Sequence, residues 1–118
     1  MISEILKVYN DLIISYEINK FHQAEKSYAL VVNFELLDNH RLFAKDYLFN
    51  DATRKYSYHF QDDKGNMIFR YDNAPHWIDL ENFPFHKHLP HKVIESKPMN
   101  LEKVFYEIKI YMEKLNPS

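Results

Sequence analysis

The chain has 118 residues, 46% of them hydrophobic and 16% aromatic, which fits one packed domain spanning residues 1–118 and excludes a disordered protein. The absence of cysteine excludes disulfide scaffolds, thiol nucleophiles and Cys-based metal centres. The net charge of −2 excludes a generic nucleic-acid coat and leaves room only for a local basic patch.

The N-terminus, Met1-Ile2-Ser3-Glu4, has no basic segment leading into an apolar one, so no signal peptide is expected. Ser3 is a fair cap for a short helix running to about Asn10, with Ile2, Ile5, Leu6 and Tyr9 on one face. Leu12 to Ile18 is rich in β-branched and aromatic residues and reads as a strand. The next strand contains Tyr28-Ala29-Leu30-Val31-Val32, the longest apolar run, far short of the ~20 residues of a membrane span. The expectation is therefore a soluble cytoplasmic protein with no membrane contact.

Tyr28, Leu30, Val32, Phe34 and Leu36 alternate with Ala29, Val31, Asn33, Glu35 and Leu37, giving that strand one strongly apolar face. Asp38-Asn39-His40 reads as a turn. Leu42 to Phe49 is the returning strand, and Asn50-Asp51-Ala52-Thr53 the following turn. Arg54–Gln61 and Met67–Asp72 bracket Asp62-Asp63-Lys64-Gly65-Asn66, a hairpin in which the single glycine takes a left-handed conformation. Prolines are absent before Pro75, so 73–98 reads as an irregular connection.

Leu101, Val104, Phe105, Ile108, Met112 and Leu115 recur at helical spacing behind Asn100 as N-cap. Such a helix needs an apolar surface to cover, and the sheet supplies one. The predicted architecture is an α+β domain: a five-stranded antiparallel meander with the C-terminal helix on one face and a short N-terminal helix.

The chemistry concentrates between Tyr56 and His88, which hold four of the seven histidines and the only tryptophan. Three clusters stand out: Tyr56-Ser57-Tyr58-His59-Phe60-Gln61-Asp62, then Arg70-Tyr71-Asp72-Asn73-Ala74-Pro75-His76-Trp77, then Phe83-Pro84-Phe85-His86-Lys87-His88. Together they resemble the TumE family, the toxin half of a bacterial and archaeal toxin–antitoxin pair. The close likeness covers about thirty residues. It departs at Phe60, where Trp is the commoner residue, and at Trp77, where a second His is common. The resemblance implies a growth-arresting toxin that acts on RNA and is neutralised by an antitoxin protein encoded beside it.

Metal-free RNA cleavage needs a general base for the 2′-hydroxyl, a general acid for the leaving oxygen and a cation for the developing phosphorane charge. His59, His76, His86 and His88 are the candidate acids and bases, because imidazole titrates near pH 6.5. Arg70 is the candidate phosphate clamp, Asp72 joins the catalytic set, and Lys87 is an auxiliary cation. Tyr58 and Trp77 are candidates to stack on an unpaired base, as is Tyr71. Gln61 and Asn73 are further substrate-binding candidates. This scheme calls for no cofactor.

Other readings stand beside it. Asp72 and Asn73 also suit a strand exit that satisfies local backbone groups, and Arg70 a structural ion pair. His59 lies on the face with Arg70 or on the opposite one, depending on loop length. His86-x-His88 with His76, and with Asp72, would suit a divalent metal and a metal-dependent phosphoesterase. A non-catalytic module that docks a protein partner is the third alternative. His22, His40 and His91 are expected to be exposed and inert. The open edge of the meander offers a strand to a second copy or to the antitoxin.

Overall fold

The alternation in Tyr28–Leu36 decides the architecture. In the computed structural model, which describes residues 2–74 and 84–117, this segment is β2 (Tyr28–Leu36), with Leu30, Val32, Phe34 and Leu36 buried on one side. It is flanked by β1 (Ile13–Gln23) and β3 (Arg41–Leu48), followed by β4 (Arg54–Gln61) and β5 (Met67–Asp72). Asp38 and Asn39 carry positive φ in the 3-10 turn Leu37–Asn39, where short polar side chains tolerate left-handed backbone. Gly65 closes the β4–β5 hairpin at φ +82°, as expected, while the Asp62 carboxylate accepts from the Lys64 and Asn66 amides.

The sheet is larger than the five strands expected. β6 (His86–Leu89) and β7 (Lys92–Glu95) extend it to seven, in the order β1 to β7 with every pair antiparallel. Part of the presumed irregular stretch 73–98 is therefore a hairpin. Two four-residue strands are too short to display an alternating pattern. Pro90 lies in the turn between them, where its missing N–H breaks no ladder bond.

One face is covered by α2 (Leu101–Leu115), capped by Asn100, whose side chain accepts from the Lys103 amide at 2.8 Å. Leu101, Val104, Phe105, Ile108 and Met112 are buried against the sheet, and Phe105 meets Phe34 edge-on at 4.9 Å. Leu115, expected in this stripe, is exposed. The short α1 (Ile2–Val8) adds Ile5 to the core, and Tyr9 just beyond it stacks on Phe105 at 5.3 Å. His40 is buried rather than exposed: its ring lies 5.7 Å from Phe60 and 5.9 Å from Tyr111, under the helix. No helix among the described residues is long and apolar enough to cross a membrane.

Candidate functional site

Strand parity sorts the motif residues between the two faces. In β4, Tyr56, Tyr58 and Phe60 are buried on the helix side, which turns Ser57, His59 and Gln61 to the open side. A bulge at Ile68 in β5, facing the Phe60–Gln61 step, settles the register. His59 pairs with Arg70, and Arg70 with His88, so the three form one row across β4, β5 and β6. The next row is Ser57, Asp72 and His86.

Asp72 is the centre of this arrangement. Its carboxylate lies 3.3 Å from Arg70 Nε, 2.5 Å from His86 Nε2 and 3.2 Å from His88 Nε2. It also accepts from the Ala74 amide at 3.1 Å. His86 is buried, and its Nδ1 donates to the Pro84 carbonyl at 2.8 Å, which turns Nε2 toward Asp72. The Arg70 side chain is 43% exposed and that of His88 23%, so both meet solvent. Burial pushes His88 below the ordinary imidazole value; Asp72 opposes this, while the charges of His86 and Arg70 add to it. His59 is lowered as well, by burial first and by Arg70 in addition, against a hydrogen bond to Gln61. Its Nε2 lies 3.1 Å from Gln61 Oε1.

His59 and Arg70 open onto a hollow of about 550 Å³ on the face away from α2, lined also by Gln61, Phe43, Lys45 and Asn33 among others. A second hollow of about 480 Å³ shares Lys45, Ser57 and Arg70 with it and adds Lys55, Tyr47 and Phe49. Tyr47 and Phe49 are stacked at 6.3 Å, with Lys20 Nζ 5.5 Å over the Tyr47 ring. Cations and aromatic rings are thus gathered on one face of a chain whose net charge is −2.

Arg70, Asp72, His86 and His88 come together, with His59 and Gln61 beside them. Four candidates do not join them. Tyr58 is buried under the helix, and its hydroxyl donates to Asp46 Oδ2 at 2.6 Å, so it is not available to stack on a base. Lys87 points to the helix side, 2.7 Å from Glu107 Oε2 and over the rings of Phe69 and Tyr71. Asn73 clamps backbone: its Oδ1 accepts from the Tyr56 amide, and its Nδ2 donates to the Arg54 carbonyl. Tyr71, also turned to the helix side, donates to Glu107 at 2.5 Å. His76 and Trp77 lie outside the described residues.

Sequence reasoning missed the basic and aromatic residues of β3, and it missed a buried ion pair. Arg54 binds Asp46 through Nε at 2.9 Å and Nη2 at 2.7 Å, and donates to the Met99 carbonyl at 2.6 Å. Tyr28 and Tyr58 also donate to Asp46, so the buried carboxylate is saturated. Burial works against the Arg54 charge, but the Asp46 hydrogen bonds and nearby acidic groups outweigh it and raise its pKa. The signal was present: Asp46 shares the phase of Leu42 and Ala44, which are core positions.

Asp72, His86 and His88 also bring three ligating atoms within 4.8 Å of one another, a two-imidazole, one-carboxylate set suited to a divalent metal. No curated protein and no solved structure matches the chain. The family described as Toxin TumE matches residues 2–115, nearly the whole chain and not the motif window alone. The chain belongs to the TumE toxin family.

Proposed function

We propose that this toxin arrests growth as a small metal-independent endoribonuclease, with Arg70 seating the phosphate between two imidazoles. The observation that carries the reading is the row His59–Arg70–His88 across adjacent strands. Neighbouring strands lie about 4.8 Å apart, so the two histidine backbones are about 10 Å apart with the guanidinium between them. One neutral imidazole takes the proton of the 2′-hydroxyl, which attacks phosphorus. The other, protonated, gives its proton to the departing 5′-oxygen. Arg70 stabilises the extra charge on the non-bridging oxygens, which peaks in the transition state.

Asp72 acts through the others: it orients Arg70 and His88, and His86 braces Asp72 from the buried side. Gln61 holds the His59 ring. The cations and aromatic rings of the open face support RNA as the substrate, with phosphates over Lys45 and Lys55 and unpaired bases against Tyr47 and Phe49. An antitoxin protein is the natural partner of such a toxin, and the cytoplasm its place of action.

The reading is tested by incubating purified protein with labelled RNA. Cleavage that disappears in Arg70→Ala and in His88→Ala, with the far-UV spectrum unchanged, supports it. A wild-type protein that arrests growth but leaves RNA intact overturns it and favours a module that docks a protein target. The ligand set Asp72–His86–His88 supports a second reading, a metal-dependent phosphoesterase. The Arg70 guanidinium 3.3 Å from the same carboxylate opposes a cation there, which ranks this reading second.

A further inference from the structure

The edge strand β1 is eleven residues long, and after Ile13 every one of them is exposed. Exposed edges in other proteins are shortened, charged or covered. Here Tyr16, Ile18 and Phe21 stand opposite the core residues Phe34, Val32 and Leu30, on the helix side of the sheet. Yet they remain 48%, 43% and 62% exposed. Two hollows flank this row. One, of about 440 Å³, is lined by Leu6, Ile14 and Tyr16 among others; the other, of about 280 Å³, by Ile2, Phe21 and Leu30 among others.

We propose that β1 pairs with β1 of a second copy of this chain, antiparallel about a two-fold axis between Ile18 and Asn19. The argument is the strand's self-complementarity. A register shift between Ile18 and Lys20 leaves Asn19 as an extra residue. Before it, the odd-numbered residues Ser15 and Glu17 face the open side; after it, the even-numbered Lys20 and His22 do. In a regular strand a two-fold axis between two consecutive residues would pair opposite faces. The bulge reverses the parity, so the faces match.

In this register Tyr16 lies against the partner's Phe21, and Phe21 against the partner's Tyr16. Each aromatic ring is delivered beside the hollow that the other lines. On the open side Glu17 meets the partner's Lys20, and Ser15 the partner's His22. Opposite charges facing each other across strands favour pairing, and like charges oppose it. An axis through Glu17 would set it against the partner's Glu17. The row is thus built for its own copy, and the faces of the two subunits away from α2 join into one surface.

The chain contains no cysteine, so disulfide mapping reads the register without background. Glu17→Cys and Lys20→Cys, mixed in equal amounts under mild oxidation, should yield a disulfide-linked dimer. Glu17→Cys alone should not, because its two copies are three positions apart. Both side chains are exposed on the open face, so the variants keep the core intact. Wild-type protein should sediment as a dimer at tens of micromolar, and Phe21→Lys as a folded monomer. A monomeric wild-type protein overturns the proposal, as does equal cross-linking by Glu17→Cys alone. So does a Glu17→Cys partnership with His22→Cys in place of Lys20→Cys. A wild-type monomer whose β1 amides become protected only when the antitoxin is added also overturns it, and assigns the row to that partner.

Discussion

His88 stands opposite Arg70 across the β5–β6 ladder, and both side chains close on one carboxylate, Asp72, at 3.2 and 3.3 Å. The two residues are separated in sequence by a long connection, and the sheet makes them neighbours. The pairing gives the first prediction. Arg70→Ala and His88→Ala should each abolish growth arrest in an expressing cell while thermal stability changes by less than about 1 kcal/mol, because both side chains are partly solvated. Retained toxicity in both variants would rule out this row as the active centre.

Asp72→Asn should behave differently. It keeps the shape but removes the charge shared by Arg70, His86 and His88. Removing one partner of a buried ionic group is costly, so a loss of about 3 kcal/mol in urea unfolding is expected together with loss of toxicity. A stable, active Asp72→Asn protein would show that the carboxylate neither orients nor braces the site.

The pH dependence follows from two lowered imidazoles. His59 and His88 both titrate below the ordinary value of 6.5. At pH 7 both are mostly neutral, which suits the base but starves the step of its acid. Cleavage should therefore fall as pH rises from 6 to 8, with an optimum on the acidic side of 6.5. The same shifts act on stability. The unfolded chain binds protons at higher pH than these two folded-state groups do, so their contribution is intact well above 6.5 and is lost as pH falls through it. A rate still climbing between pH 7 and 8 would contradict this assignment.

Metal removal separates the two chemical readings. Protein purified without a tag and dialysed against a chelator should retain full RNA cleavage if the histidines transfer protons. Loss of activity restored by zinc or manganese would transfer Asp72, His86 and His88 to ligand duty.

Away from the row, Lys45→Glu with Lys55→Glu should weaken RNA binding by tenfold or more and flatten its salt dependence. Binding unchanged in a filter or anisotropy assay would move the RNA off the open face.

Much of this was legible in the chain. The alternation of Tyr28–Leu36 marked the apolar face, the periodicity from Leu101 supplied its cover, and Gly65 marked the hairpin. What escaped depended on a single residue's offset or on short length. The bulge at Ile68 decided whether His59 met Arg70 or Phe69, and no local pattern announces it. The β6–β7 hairpin was hidden by the prolines in and around it and by four-residue strands. Lys87 and Tyr58 were assigned to the site by residue type, whereas parity sends both to the helix. Asp46 was readable as an anomaly, a charge in a core phase, but its partner Arg54 was not.

Placing His59, Arg70 and His88 on consecutive strands has a consequence for how such a toxin can diversify. The inter-strand repeat acts as a ruler, so the spacing of the three side chains is inherited from backbone hydrogen bonding and not from loop conformation. Connections between the strands are then free to lengthen, shorten or change composition while the spacing of the row stays constant.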